Sequence, residues 1–468
     1  MRDGSRADAG AVAMIRLLDC MPPSTGRAVD IAELLDGGSW STYQKLLIAL
    51  AALAIIFDGF DIQILGFAIP SLIREWHVAR AEFGPVLAVG LAGMALGGVV
   101  AGQCGDRWGR RTALIASVTV FGLATIATAF VHGFAGLTAL RFLTGMGTGG
   151  AVPNASALAA EFAPRRWRPT AVKLTVVCVP LGGMLGGVLA AWALPKFGWR
   201  GLYAIGGALP LLLAGTLWAF LAESPRFLAR RPSRWGHLAR LLGRMGHTGL
   251  ADAQFEDRAE PGSSKRASLR ALFAPEFARD TAGLWLAFFF SLGSIYLVFG
   301  WLPEMLRSHG LDVATSSTGL ALYNFGGVVG VFVWAALMAH FGSRGPLLLG
   351  ALASVGSALA LLAVPVQASG DHIALMACLG MNGLIANAIQ TSMYGLAAHV
   401  YPTGVRATGV AYAATLGRIG GLVSSLVGAA FIQGQGRAYW YALAISMVFT
   451  FAGLAWIRHH YPAIRKLR

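Results

Sequence analysis

Two aspartates, Asp58 and Asp61, lie three residues apart in the apolar stretch F-D-G-F-D. In a helix this spacing puts both carboxylates on one face. Two carboxylates held close together in a medium of low dielectric resist ionising together, so one of them is suited to binding and releasing a proton. We predict proton coupling for this pair. The alternative is a pair of structural acids that hydrogen-bond to neighbouring helices.

Two arginines also lie in apolar stretches. Arg418 lies within L-G-R-I-G-G, and Arg141 opens another apolar run. A buried guanidinium presents a planar set of donors that matches a carboxylate, which can belong to the protein or to a ligand. For Arg418 we predict binding of a substrate anion, with a structural pair to an internal acid as the alternative. For Arg141 we predict a structural or coupling role.

A polar stripe adds further candidate ligand-binding side chains. Asn387, Gln390 and Tyr394 recur at intervals of three and four residues in an otherwise apolar segment. This interval places them on one helix face, where they either line a cavity or hydrogen-bond to adjacent helices. Aromatic and amide walls of the same cavity are predicted at Tyr296, Tyr323 and Asn324.

All these residues belong to apolar stretches that are long enough to cross a membrane. The 468 residues are 56% hydrophobic and 13% charged, against roughly 45–50% apolar and about 25% charged in soluble domains. A hydrocarbon core of roughly 30 Å requires about 20 residues of helix. The sequence therefore predicts an all-α membrane protein with twelve transmembrane helices. The predicted spans are 46–73, 83–103, 112–131, 136–160, 170–192, 202–221, 281–303, 316–338, 346–366, 372–399, 409–432 and 438–457.

The distribution of basic residues predicts the orientation of these spans. Most of the 37 Lys and Arg lie on the side that carries both termini. By the positive-inside rule, both termini of this multi-pass protein are predicted to be cytoplasmic, in a bacterial inner membrane. The formal net charge of +15 is therefore a topology signal with a contribution from anionic membrane lipid, and no nucleic-acid partner is predicted.

The spans divide into two related halves. A shift of 233 positions places Pro70 on Pro303 and Gly93 on Gly326. Because each half has six spans, the two repeats run in the same orientation, and a substrate site is expected near the midplane between them. The predicted divisions are a cytoplasmic N-terminal segment (1–45), an N-terminal six-helix half (46–221), a cytoplasmic linker (222–280), a C-terminal six-helix half (281–457) and a cytoplasmic tail (458–468).

The joint between the second and third spans reads G-x-x-G-D-R-x-G-R-R from Gly102 to Arg111. Its glycines permit a tight turn, and an Asp close to Arg residues can form charge pairs across the two halves in one conformation and lose them in another. We predict gating, with a plain topology-setting turn as the alternative. The residues assigned to gating or coupling are Asp106, Arg107, Arg110, Arg111 and Arg141.

The sequence contains no pattern that indicates a metal site or an enzyme active site. The four cysteines (Cys20, Cys104, Cys178 and Cys378) are scattered, and the histidines lack the spacing of metal ligands. No nucleophile or nucleotide-binding constellation is found. We therefore predict no metal site, no cofactor and no enzymatic activity.

Several segments taken together are specific enough to indicate a family. They are the F-D-G-F-D pair, the loop from Gly102 to Arg111, the stretch from Gly145 to Pro164, and the segment from Tyr401 to Gly420, which contains Y-P-T-G-V-R-A-T-G and G-R-I-G. The segment from Val29 to Asp36 fits the same pattern. Over about 29 to 457, the chain resembles the aromatic acid:proton symporter family of the major facilitator superfamily.

This resemblance implies a major facilitator fold and proton-coupled uptake of hydroxybenzoate- or protocatechuate-like acids by alternating access. It also implies that Asp58 and Asp61 are needed for transport. The expected partners are a small aromatic acid, protons and membrane lipid, and the protein is expected to be a monomer.

Departures from the family pattern leave some alternatives open. Asn324 stands where a glutamine is expected, so the preference for ring substituents stays open. A symporter for shikimate-like acids or dicarboxylates, a drug or metabolite efflux carrier, and a non-transporting sensor remain alternatives. The fifth span lacks the antiporter pattern G-x-x-x-G-P-x-x-G-G, which disfavours efflux.

Overall fold

The computed structural model describes residues 28–37, 40–250, 253–257, 272–364, 366, 372–432 and 436–463. Cys20, part of the linker and the end of the tail lie outside these ranges. Within them the chain is predominantly helical, with two strands of three residues each.

The long helices follow the order of the predicted spans. The first four spans are Thr42–Trp76, Phe83–Trp108, Arg110–Thr128 and Phe134–Phe162. The fifth and sixth spans form one run, Arg168–Phe220. The seventh to twelfth spans are Ala278–Ser308, Val313–Phe341, Arg344–Ala363, Ile373–Val400, Thr403–Phe431 and Arg437–Trp456.

Among the described residues, 10 helices are long and apolar enough to cross a membrane. The run Arg168–Phe220 counts once among them, but Gly198 divides it because its φ of 64° is left-handed, a conformation that favours glycine. The fourth span contains 29 residues, which is long enough to cross at about 1.5 Å per residue. It is less apolar than the others because it contains Arg141, Asn154 and Glu161. Twelve transmembrane helices result, as predicted.

Local sequence signals fix where the first span begins and where the chain turns between the second and third spans. A capping box begins the first span, because the Ser41 side chain accepts from the Gln44 backbone while the Gln44 side chain accepts from the Ser41 backbone. The turn between the second and third spans depends on Gly109, whose φ is 113°. A Cβ at Gly109 would also collide with the carboxylate of Glu223.

The twelve spans pack as two six-helix halves. Within the first half, the first span packs on the fifth and sixth, and the second packs on the fourth. Within the second half, the seventh packs on the eleventh, and the eighth packs on the tenth. The halves meet where the first span contacts the seventh, the second contacts the eleventh, and the fifth contacts the eighth, for example at Gly187 and Ala321. The candidate residues of the first, seventh, tenth and eleventh spans are therefore brought to one central interface.

One feature of the fold was not predicted from the sequence. The strand Ala28–Asp30 pairs in parallel with the strand Gln254–Glu256. Next to them lie three short helices, Ile31–Gly37, Pro225–Ala229 and Trp235–Arg244. Their apolar side chains, including Leu35 and Leu238, join the core of the first half. The segment before the first span and the linker thus pack together at the end of the bundle that bears both termini, called the termini end below.

Candidate functional site

Asp61 lies at the centre of a buried network of polar contacts in the first half. The Thr125 hydroxyl donates to Asp61 Oδ1 over 2.5 Å. Arg141 Nη1 lies 3.5 Å from Asp61 Oδ2 and donates to the Asp61 backbone carbonyl over 3.0 Å. Arg141 Nη2 also donates to the Ile62 carbonyl over 2.8 Å. The first, third and fourth spans are therefore held together around one buried ion pair, with Asp61 1% and Arg141 8% exposed.

Asp58 differs from Asp61 in its lack of hydrogen bonds. It is 1% exposed, and neither of its carboxylate oxygens has a hydrogen-bond partner in the described structure. Two charged groups act on it electrostatically, Asp61 on its own helix and Arg418 from the second half. A buried carboxylate without hydrogen bonds is costly to keep ionised, so Asp58 is suited to carrying a proton.

Arg418 lies half-buried in the eleventh span, on the second-half side of the interface. Its charge acts on Asp58, Tyr296 and Tyr394. The Tyr296 hydroxyl donates to the sulfur of Met94 in the second span over 3.7 Å. Asp58, Arg418 and the two tyrosines therefore form one cluster that spans the two halves.

The polar stripe of the tenth span faces two neighbours. Asn387 lies beside Tyr323 of the eighth span and donates to the Gly383 carbonyl over 3.0 Å. One turn further along, Gln390 is 6% exposed and neither of its amide atoms forms a hydrogen bond of good geometry among the described residues. Tyr394 packs edge-to-face on Phe288 of the seventh span, with 5.1 Å between the two ring centroids. The Gln390 and Tyr394 end of the stripe therefore lies on the side of Arg418.

Asn324 has a different environment from the cavity wall that the sequence predicts. Its Nδ2 donates to Gln63 Oε1 over 2.8 Å, and Gln63 Nε2 donates back to Asn324 Oδ1 over 3.3 Å. Both side chains are 0% exposed. Gly183 lies directly beneath this amide pair, where a Cβ would meet both amides. In this conformation Asn324 joins the two halves instead of facing an open cavity.

Sequence reasoning missed Gln63, although a signal for it existed. The shift of 233 positions places Gln63 on Tyr296, so a polar side chain stands at the same position of both halves. Thr125, the hydroxyl partner of Asp61, had no comparable signal, because threonines are common in apolar helices and only packing reveals the contact.

A cavity of 30 Å³ lies between the halves beside Asp61 and Arg141. Residues of the second half, including Tyr296 and Ser425, close its other side. This volume is enough for a few waters at most, whereas small-molecule pockets are typically about 300–1,000 Å³. An aromatic ring can enter this cavity only if the halves move apart.

The polar contacts between the halves have an uneven distribution. Arg80 Nε lies 2.6 Å from Glu304 Oε1 at the end opposite the termini. The Gln63–Asn324 and Tyr296–Met94 contacts lie near the middle of the spans. The halves are thus fastened together in the middle and at the end opposite the termini.

The loop from Gly102 to Arg111 makes its contacts within the first half and the linker. Asp106 pairs with Arg110 over 2.5 Å inside the loop itself. The Arg111 backbone N–H donates to Glu223 over 3.0 Å, and the side chain of Arg231 donates to the Arg107 carbonyl. No contact across the halves is observed for these residues in this conformation.

The described residues contain no group of three or more His, Cys, Asp or Glu side chains placed to hold a metal ion. The side chains of the central site supply carboxylates, guanidinium groups, amides and phenols.

Comparisons with known proteins agree with this architecture. The sequence profile of the Major Facilitator Superfamily matches residues 51–425 and 284–468. Over 89% of this chain and 98% of the other, the fold is similar to the crystal structure of a D-xylose-proton symporter, with a TM-score of 0.70 and 17% identity. The xylose transporter XylE from E. coli, in an inward open conformation, gives a TM-score of 0.67 at 18% identity, over 87% and 95% of the two chains.

Curated relatives of higher identity point to a narrower group. The gallate transporter of Pseudomonas putida is 35% identical, with 93% of this chain and 94% of the relative covered. The 4-hydroxybenzoate transporter PcaK of Acinetobacter baylyi is 32% identical, with 90% and 91% covered. This chain is a multi-pass membrane protein that belongs to the major facilitator superfamily and, within it, to the family of aromatic acid transporters.

Proposed function

We propose that this protein takes up aromatic carboxylic acids of the hydroxybenzoate or protocatechuate type together with protons, by alternating access. The observation that carries this proposal is the position of Asp58, a buried carboxylate that has no hydrogen-bond partner among the described residues, opposite Arg418 of the other half. A proton site and an anion site that share one interface can be coupled, because each changes the charge that the other experiences. The gallate and 4-hydroxybenzoate transporters among the relatives support an aromatic acid as the ligand.

In this proposal Arg418 binds the substrate carboxylate. Its planar fork of donors matches the two oxygens of a carboxylate. Gln390, whose amide atoms form no hydrogen bond of good geometry within the described ranges, is placed to bind ring hydroxyls. Tyr296 and Tyr394, which lie in the same cluster, are placed to pack against the ring. Asn387 and Tyr323 form the neighbouring wall between the tenth and eighth spans, and Asn324 joins this wall when the halves move apart and its contact with Gln63 breaks.

Asp58 and Asp61 carry the proton in this mechanism. An aromatic carboxylate has a charge of −1, and moving it into a cell that is negative inside costs about 2.3 kcal/mol per 100 mV. One proton that moves with it cancels this cost. With Asp58 protonated, Arg418 has no ion-pair partner in the described part of the chain and is available to the substrate. Release of the substrate leaves Arg418 free to attract the Asp58 carboxylate, which favours loss of the proton.

Movement of the halves completes the cycle. In this conformation the Arg80–Glu304 contact closes the end opposite the termini, and the Gln63–Asn324 pair joins the halves in the middle. We propose that they break when the site opens to the outside, and that Asp106, Arg107, Arg110 and Arg111 then form contacts across the halves at the termini end. Arg141 couples Asp61 to the packing of the fourth span.

The proposal also includes the placement of the protein. The termini end is cytoplasmic in a bacterial inner membrane, as the excess of basic residues there indicates. We also propose that the chain divides into the segments 1–45, 46–221, 222–280, 281–457 and 458–468. The protein is proposed to be a monomer and to have no enzymatic activity. Reporter fusions at Gly262 and Arg468, which lie outside the described residues, should both report a cytoplasmic position. An external signal from either would contradict this orientation.

Uptake measurements test the proposed function directly. Cells that express the protein should accumulate labelled 4-hydroxybenzoate or protocatechuate above the external concentration, and an uncoupler should abolish the accumulation. The matching neutral amide should not compete, whereas the acid should. Accumulation of aliphatic acids instead, or uncoupler-sensitive export of the label, would replace this proposal with a different symporter or with an efflux carrier.

A further inference from the structure

A second, larger cavity lies away from the central interface, at the termini end of the first half. Its volume is 580 Å³. The linker helix Trp235–Arg244 forms one wall. The opposite wall consists of the starts of the first and third spans, at Tyr43 and Arg111, and the end of the sixth span, at Leu221. Since it borders the ends of three spans, this cavity lies at the depth where a membrane has its headgroups.

The lining of the cavity is strongly basic. Four arginines, namely Arg111, Arg234, Arg240 and Arg244, line it together with His237. The single acidic lining residue is Glu223, which already accepts from the backbone N–H groups of Arg111 and Ser224. Among the described residues, the ion pairs include none formed by Arg234, Arg240 or Arg244. The cavity therefore has an excess of positive charge that the described protein does not neutralise.

The sequence of the linker helix explains why these arginines converge. Leu238, Leu241 and Leu242 are buried against the first half. At a helical period of 3.6 residues, Arg240 and Arg244 are one turn apart and share a face. Arg244 also lies 5.9 Å above the Tyr43 ring. The apolar face thus anchors the helix, and the basic face is left along the cavity.

We propose that this cavity binds the phosphate of an anionic ligand, supplied by the surrounding membrane as a phospholipid headgroup. Arginine forks recognise phosphate oxygens through paired, charge-assisted hydrogen bonds. Basic pockets at membrane depth are suited to anionic headgroups. The end of the sixth span favours a lipid over a soluble phosphate, because Trp218 (71% exposed) and Phe220 (63% exposed) precede the cavity-lining Leu221 by three residues and one residue. These side chains offer an apolar path for the acyl chains of the same molecule.

The bound headgroup would connect the linker helix to the first half. Arg234, Arg240 and Arg244 belong to the linker, whereas Arg111 belongs to the third span. A phosphate between them replaces like-charge repulsion by bridging contacts. Its effect should appear as stability of the folded protein, since a ligand that binds only the folded state stabilises it.

Thermal unfolding of the full-length protein in detergent tests this site. Phosphatidylglycerol, phosphatidylcholine and inorganic phosphate are added separately to the wild type and to an Arg240→Gln/Arg244→Gln variant. An Arg165→Gln/Arg166→Gln variant serves as the control, because it loses the same two charges from another exposed joint. We expect phosphatidylglycerol to raise the midpoint of the wild type and the control, but not that of the cavity variant, and phosphatidylcholine to have no effect.

Further measurements separate a requirement for charge from a requirement for arginine, and a lipid from a soluble ligand. An Arg240→Lys/Arg244→Lys variant, which keeps both charges, should respond to phosphatidylglycerol as the wild type does. A response to inorganic phosphate alone that is lost in the cavity variant would support the phosphate site and assign it to a soluble ligand. If the cavity variant responds to phosphatidylglycerol as strongly as the wild type, or if neither form responds, the proposal is overturned.

Discussion

The two halves share a fold but divide the polar chemistry of the central interface between them. The first half contributes Asp58 and Asp61, and the shift of 233 positions places Ser291 and Ser294 at the matching positions of the second half. Conversely, Arg418 of the second half corresponds to Pro180 of the first under the shift of 238 positions. Both matching residues are buried serines, which carry no charge, so the second half has no carboxylate at these two positions that could neutralise Arg418.

This division shows how two halves with the same fold can couple a proton site to an anion site. The acids of the first half lie next to each other, but only Asp61 has an arginine of its own half, Arg141, as an ion-pair partner. The arginine that acts electrostatically on Asp58, Arg418, belongs instead to the other half. One acid is therefore structural as well as titratable, whereas the other depends on the opposite half. We expect the two to respond differently to substitution.

The largest effect is expected at Asp58. Asp58→Asn keeps the shape of the side chain and loses its titration, and it breaks no hydrogen bond because the carboxylate has none among the described residues. Accumulation of labelled 4-hydroxybenzoate should fall to the level seen with an uncoupler, while the amount of folded protein in the membrane stays unchanged. Asp61→Asn should also abolish accumulation.

Ser291→Ala is the matched control for Asp58→Asn, because it changes the corresponding position of the second half. It should leave accumulation close to that of the wild type. Normal proton-driven accumulation in both aspartate variants would remove these residues from the mechanism.

The second effect, on stability, distinguishes Asp61 from Asp58. Arg141→Gln leaves the buried Asp61 carboxylate without its cationic partner, and breaking a buried pair in this way costs about 3–5 kcal/mol. We expect a clear decrease in the thermal midpoint of the purified protein. The double variant Asp61→Asn/Arg141→Gln should recover much of this loss, because no unpaired charge remains. A midpoint unchanged by Arg141→Gln would show that the pair is not structural.

Sequence reasoning located the charges of the site more readily than their partners. Asp58, Asp61, Arg141 and Arg418 were found because a charge inside a long apolar segment is rare and costly. The spans were predicted from the same contrast between long apolar segments and the charged joints that separate them. The pairing of Asp61 with Arg141 depends on which faces of the first and fourth helices meet, and neither sequence segment encodes that information alone.

Two other features were missed for similar physical reasons. The strands Ala28–Asp30 and Gln254–Glu256 have three residues each, too few for a periodic pattern, and they are far apart in the chain. Asn324 was found as a polar residue in an apolar span, but its partner Gln63 was not, because an amide pair carries no charge signal. Both contacts are properties of the tertiary packing.

The third prediction concerns the anion site of the second half. Arg418→Lys keeps the charge and loses the fork geometry, and hydrogen bonds to charged groups contribute about 1.5–3 kcal/mol. This corresponds to a rise in the apparent KM of about tenfold to a hundredfold. Binding of benzoate-type acids and their neutral amides to purified Arg418→Lys and Arg418→Gln proteins provides the measurement.

The wild type should prefer the acid over the amide strongly, and both Arg418 variants should lose this preference. If both variants fold and still discriminate as the wild type does, the anion binds elsewhere, with Arg141 as the next candidate. Lost expression or a lower thermal midpoint with unchanged discrimination would instead indicate a structural role for Arg418.

The smallest effect is expected at the amide pair that joins the halves. Asn324→Leu leaves Gln63 buried without its partner, which costs about 1–3 kcal/mol, and Gln63→Leu should cost a similar amount. In the double variant Gln63→Leu/Asn324→Leu no amide is left unpaired, so the two losses should not add. A double-mutant cycle measured by thermal unfolding should give a coupling of about 0.5–3 kcal/mol. Because each half supplies one amide, this coupling reports the contact between the halves directly, and additive losses would mean that the pair does not hold them together.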